Sequence, residues 1–377
     1  MKIHVVNQIA AGLVLWAVVA PGWCAPAGAG QGDTQSMKVA MDAWQLRMKG
    51  KVDDARVLLE KAIQENPSNA AAHYELARIK IHMALGGAGG QKGALERIGE
   101  AQQSIAKARA IEPNNVIYVV FEGGLALLQA YPSWMQNQPD TREKMGRVCD
   151  AFESALKLKP DYCQVMLCLV ELYGTLPADK GGDKSKAEKY AAQLEGMDAV
   201  YGAKARSILL PAEANNVDYW QNVLKHHEGN ADVLEELGKA YLRADKVDEA
   251  ASCFEKAVKI NPEKSILFLD LSIYHTWLAM RAENGSESFR RAVASGEAAV
   301  TRYLDTKPIL PMRAYALGVQ YKYLSHSGRK EQADALLKQA QALDPYFSKA
   351  TAAPSPDFFI RPDEIPHHHG YLFRPIQ

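Results

Sequence analysis

A chain of 377 residues with 47% apolar and 23% charged side chains is long enough for several domains or one extended array, and too apolar to stay unfolded. Its 44 lysines and arginines are matched by 44 aspartates and glutamates, so no net field draws it toward nucleic acid or an anionic membrane. Nucleic acid is therefore not an expected partner.

Residues 1–29 read as a signal peptide. Lys2 and the free amine give a basic start, residues 9–20 (IAAGLVLWAVVA) form an apolar run of 12, and Ala25, Ala27 and Ala29 supply small residues for cleavage after Ala27 or Ala29. The run is too short to span a bilayer. Cys24 does not make a lipobox, because bulky Trp23 precedes it. The mature chain is thus expected to be periplasmic or secreted, with no later stretch long and apolar enough to cross a membrane. Its four cysteines, Cys149, Cys163, Cys168 and Cys253, read as small packing residues; export would also permit a Cys149–Cys163 disulfide.

From there the chain is periodic. A small or apolar residue is followed by others four and seven positions on, and by proline at twelve. Copies are Ala55, Leu59, Ala62, Pro67; Ala101, Ile105, Ala108, Pro113; and Val148, Phe152, Ala155, Pro160. Two more are Ala250, Phe254, Ala257, Pro262 and Ala333, Leu337, Ala340, Pro345. Steps of four and three put these residues on one helix face, and the proline ends the helix. A second pattern precedes it: Met166, Leu169, Val170, Tyr173; Leu234, Leu237, Gly238, Tyr241; Ala314, Leu317, Gly318, Tyr321. Its small third residue lets a partner helix approach. Together the patterns describe a helical hairpin that cannot bury its face alone and must stack on its neighbours. Pro160 and Pro262 lie 102 residues apart, three periods of 34, with two degenerate copies between them marked by Ala187, Ala191 and Leu194 and by Trp220 and Val223.

Over residues 231–262 (ADVLEELGKAYLRADKVDEAASCFEKAVKINP) this pattern resembles the tetratricopeptide repeat. The resemblance implies an all-α, right-handed superhelical solenoid of about eight hairpins over residues 36–346, followed by a non-helical tail, 347–377. Asp42 and Lys80 depart from the motif's apolar positions. The layouts of residues 181–202 and 295–304 resemble those of bacterial envelope members.

The same resemblance implies that the first helix of each hairpin lines a concave groove. The groove candidates are Trp44, Tyr74, Arg78, Val120, Leu167, Glu171, Lys239, Arg243, Tyr315 and Lys322. This mixture of aromatics with both charge signs suits an extended peptide or protein segment. The paired basic residues with which chaperone-binding relatives hold a terminal carboxylate are not evident. Glu235, Glu236, Lys239 and Arg243 are expected on a solvated helix face.

The stretches 84–97, 131–145, 174–183 and 283–288 exceed the basic period, and are expected as long loops between first and second helices. Trp134 would stand on one of them. Such loops share an edge of the array, a second candidate binding face.

Chemistry is hard to find. Gly181-Gly182-Asp183-Lys184-Ser185 lacks the spacing of a phosphate loop and reads better as a helix cap at Asp183 or Ser185. No nucleophile–base–acid set is recognisable, so the chain is not expected to be an enzyme and no cofactor is implied. His367, His368 and His369 are weak metal candidates, and they support an alternative reading as a periplasmic small-molecule or metal-binding accessory of transport. Around them, residues 355–377 hold four prolines yet also Phe358, Phe359, Ile360, Tyr371, Leu372 and Phe373. Either capping the last repeat or plugging the groove would bury these.

Overall fold

The computed structural model describes residues 34–85 and 90–346. The expected signal peptide, the histidine run and residues 347–377 lie outside the described residues. Among those described there are sixteen α-helices and no strand, arranged as eight hairpins. In chain order these are α1 (Thr34–Met48) with α2 (Val52–Glu65), α3 (Ala70–Leu85) with α4 (Gly90–Ile111), α5 (Val116–Met135) with α6 (Thr141–Leu158), and α7 (Cys163–Thr175) with α8 (Lys184–Met197). Then follow α9 (Ala199–Ile208) with α10 (Asn216–His226), α11 (Ala231–Arg243) with α12 (Val247–Ile260), α13 (Ile266–Arg281) with α14 (Glu287–Asp305), and α15 (Leu310–His326) with α16 (Lys330–Leu343).

The recurring proline sets the helix ends. α2, α4, α6, α12 and α16 each stop two residues before it. The residue preceding proline is pushed out of the helical region by the pyrrolidine ring. Accordingly Asn66, Lys159, Asn261 and Asp344 have φ between −130° and −155°. The 4–3 spacing marks the core: Ala55, Leu59, Ala101, Ile105, Ala108, Val148, Phe152, Ala155, Ala250, Phe254, Ala257 and Ala340 are all fully buried. First helices are often capped by the side chain just before them, as when the Asn230 side-chain oxygen accepts from the N–H groups of Asp232 (2.9 Å) and Val233 (3.1 Å).

Asp183 is the expected cap, of α8, where its carboxylate accepts from the Lys186 N–H at 3.1 Å. Asp183→Ala is expected to lose about 1 kcal/mol, measured as a fall in the thermal midpoint without loss of helix content in the folded baseline.

Two expectations are corrected. The first two inserted stretches are mostly helix rather than loop: α4 and α5 run to 22 and 20 residues, and only residues 136–140 separate α5 from α6. Pro132 is carried inside α5, and the turn beyond it is tied back to α6. Thr141 Oγ1 donates to the Ser133 carbonyl (2.9 Å) and Lys144 Nζ to Ser133 Oγ (2.7 Å). Trp134 is accordingly buried in the last turn of α5, packed with α6 and α7, instead of standing on a loop. The second correction concerns membranes: the stretch Val116–Trp134 within α5 is long and apolar enough to cross one, with mean hydropathy 1.2. Its apolarity has a local cause, since α5 serves two clusters: Tyr118 and Leu125 join the one with α3 and α4, Val119 and Leu127 the one with α6 and α7.

The two ends of the array meet. Tyr346, just after α16, packs against the Val52, Ala55 and Leu59 cluster of the first hairpin, and its hydroxyl donates to the Asp53 carboxylate (2.9 and 3.0 Å). Another apolar cluster draws on α3–α5 and on α13–α15.

Candidate functional site

The first helices carry most of the charged side chains that are buried. On α1 and α3, Arg47 Nε donates to Glu75 Oε1 at 2.8 Å and Arg78 Nη1 lies 2.9 Å from Glu75 Oε2; all three side chains are at most 1% exposed. Burial lowers the Arg47 pKa to about 10 against the pull of Glu75, so it stays charged at neutral pH. The Arg78 guanidinium also lies 5.4 Å from the centre of the Tyr74 ring, which packs on Tyr118 (5.0 Å) and edge-on to Phe121 (5.3 Å).

A second cluster sits where α9, α11 and the turn after α12 converge. Lys239 Nζ donates to Glu235 Oε1 (2.6 Å) and Glu236 Oε1 (3.3 Å). Lys264 reaches Glu235 (2.5 Å) and Asp232 (2.7 Å), while Lys204 lies 3.5 Å from Glu236. Burial opposes the Lys239 ammonium, but attraction to Glu235 and Glu236 outweighs it and holds the pKa above the usual lysine range. Asp270 of α13, 1% exposed, adds to that attraction.

Of the groove candidates, Tyr74, Arg78, Val120, Leu167, Lys239 and Tyr315 are buried; Trp44, Glu171 and Lys322 are half-buried, and Arg243 is exposed. The solvated face expected for Glu235, Glu236 and Lys239 is therefore corrected: they are 5%, 3% and 3% exposed. The charges are buried and compensate one another, which the sequence hinted at only through their i, i+4 and i, i+3 spacing. Sequence reasoning missed Arg47, Glu75, His82, Asp270 and Asp344. Their types carry no signal without knowledge of which elements meet.

A cleft of about 460 Å³ between α4, α5 and α6 is lined by Arg109, Lys144 and Arg147 with Glu122 and Asp150. Its cations are paired, Arg109 with Glu122, Arg147 with Glu143 and Lys144 with Asp140. Among the described residues no group of three or more His, Cys, Asp or Glu side chains is placed to hold a metal ion. All four cysteines there are free thiols; burial pushes Cys149 up to about 12, well away from a reactive thiolate.

An all-helical solenoid of stacked hairpins, with charged groups buried along its first helices, defines the class of helical-repeat proteins. The tetratricopeptide repeat family models match residues 46–85 and 231–264, so the chain carries tetratricopeptide repeats, a fold that generally serves as a protein-interaction scaffold. No curated protein matches the sequence. Among solved structures, it is similar to a thermophilic TPR protein of Thermus thermophilus (18% identity, 65% of this chain and 98% of that one, TM-score 0.36). It is also similar to a TPR protein of Parabacteroides merdae (14%, 85% and 100%, TM-score 0.35). A third likeness is to YrrB, described as a TPR protein with an unusual peptide-binding site (17%, 54% and 92%, TM-score 0.30). These are likenesses of fold alone.

Proposed function

We propose that this protein is a non-catalytic scaffold of the bacterial cell envelope, exported by residues 1–29, that holds an extended segment of a partner protein against its concave inner face. The observation that carries the reading is the composition of that face. The first helices bring to it half-buried Trp44, Glu171 and Lys322 and exposed Arg243, an aromatic anchor with charges of both signs, over a floor of buried Tyr74, Arg78, Lys239 and Tyr315. A segment with alternating side chains could be read there by stacking and charge pairing.

The test is a pair of photo-crosslinking variants in cells. A photoreactive amino acid at Trp44 or Arg243, on the first helices, is expected to capture a partner, whereas one at Lys256, exposed on α12, is not. Capture from Lys256 alone would move the site to the outer surface. Amino-terminal sequencing of the protein from the periplasmic fraction, expected to start after Ala27 or Ala29, checks the location separately.

A further inference from the structure

Where α16 ends, the chain does not leave the array. Asp344 Oδ2 lies 2.8 Å from His82 Nε2 of α3, and both side chains are fully buried. The Leu343 carbonyl oxygen occupies the position where a side chain on Gly50, in the turn between α1 and α2, would have to start: a Cβ built there comes within 1.8 Å of it. Gly50 also has φ +75°, a left-handed conformation that glycine adopts without strain. Two residues on, Tyr346 reaches Asp53. Residues 343–346 thus bind the first two hairpins across separations of 262 and 293 residues, through a histidine–carboxylate pair and a tyrosine–carboxylate bond. Consecutive hairpins elsewhere are joined mainly by apolar packing, as between α6 and α7. The join between the ends shares an apolar cluster of α3–α5 with α13–α15 and adds to it a short exit segment, polar at its tip, that grips a turn shaped to receive it. The buried Arg47–Glu75–Arg78 network joins α1 to α3, and α3 also carries His82.

We propose that the contact of residues 343–346 with Gly50, Asp53 and His82 is a latch that closes the eight hairpins into a ring, and that its release opens the inner face to the partner. The second half rests on the scaffold reading above; the first stands without it. Polar contacts suit a latch because water replaces them at small net loss; the apolar cluster shared by α3–α5 and α13–α15 would be exposed on opening and favours reclosing.

The test needs no partner. Diethyl pyrocarbonate modifies accessible imidazoles, and His82 can be compared with exposed His226 in the same chain. In Tyr346→Phe/Asp53→Asn, which cuts the outer bond and leaves His82 and Asp344 intact, the His82 rate relative to His226 is expected to rise at least ten-fold. Acetylation of buried Lys239 relative to exposed Lys256 is expected to rise with it. Unchanged His82 reactivity in a variant of normal helix content overturns the latch. A rise at His82 without one at Lys239 overturns its control of the inner face. Should the double variant fail to fold, hydrogen exchange of the wild type decides: α3 is expected to exchange faster than α6 and α7, and equal rates overturn the proposal. A partner captured at Trp44 with a silent His82 would leave the scaffold standing and remove the latch; the converse result would do the opposite.

Discussion

Phe254→Ala is expected to lower the free energy of unfolding by about 3–5 kcal/mol, the range for removing a buried aromatic ring. The ring is fully buried in α12 and packs directly over Gly238 of α11, where an added Cβ would stand 2.4 Å from its Cε1. Glycine and ring are thus two halves of one contact, and the close approach of the helices depends on both. Since each hairpin is stabilised mainly by its neighbours, a weakened sixth repeat also weakens its hold on the fifth and seventh. Urea denaturation followed by circular dichroism should show an early midpoint and a broadened or split transition. Gly238→Val should be destabilising by a different route, overpacking, at about 1–3 kcal/mol or more. A loss below about 1 kcal/mol for Phe254→Ala would mean that the ring is not the core of that hairpin.

Lys239→Met should be nearly as damaging, at about 3 kcal/mol, the low end for breaking a buried ion pair from one side. Glu235 and Glu236 would stay buried while losing the ammonium they share; Lys264 and Lys204 still reach one each and keep the loss from being larger. The wild-type pair has a definite pH sign. A lysine whose pKa is raised on folding contributes stability that is fully present below its unfolded value near 10.4 and lost only as pH rises through the folded value. Little change is therefore expected from it between pH 5 and 9. In Lys239→Met the sign reverses. Buried carboxylates without their cation titrate higher than the ordinary value near 4.3, so the variant should regain stability as pH falls toward that value. Calorimetry at several pH values would show it. If Glu235→Gln/Glu236→Gln/Lys239→Met is as unstable as the single variant, the loss comes from packing of the lysine stem and not from stranded charge.

The contrast between Phe254 and Lys239 marks what could be read in advance. Phe254 repeats at a fixed offset from Ala250, Ala257 and Pro262, and so do its counterparts Leu59, Ile105 and Phe152. Periodicity alone identified them as core, because the helix period maps position onto a face. Lys239 and its glutamates have the same spacing whether they lie in water or inside a curve. Nothing local distinguishes the two. Trp134 went astray for a related reason: residues in excess of the period read as loop, yet Thr141 and Lys144 hold the last turn of α5 in place from the next helix.

By itself, then, the sequence determined the hairpin, the helix ends marked by proline and the number of copies, since these follow from steps of three and four and from proline geometry acting within a few residues. The tertiary structure decided which charges are buried and that Asp344 and Tyr346 return to His82 and Asp53. Those outcomes depend on how the small rotation between neighbouring hairpins adds up over eight of them, a sum over the whole array that no short stretch of the chain contains.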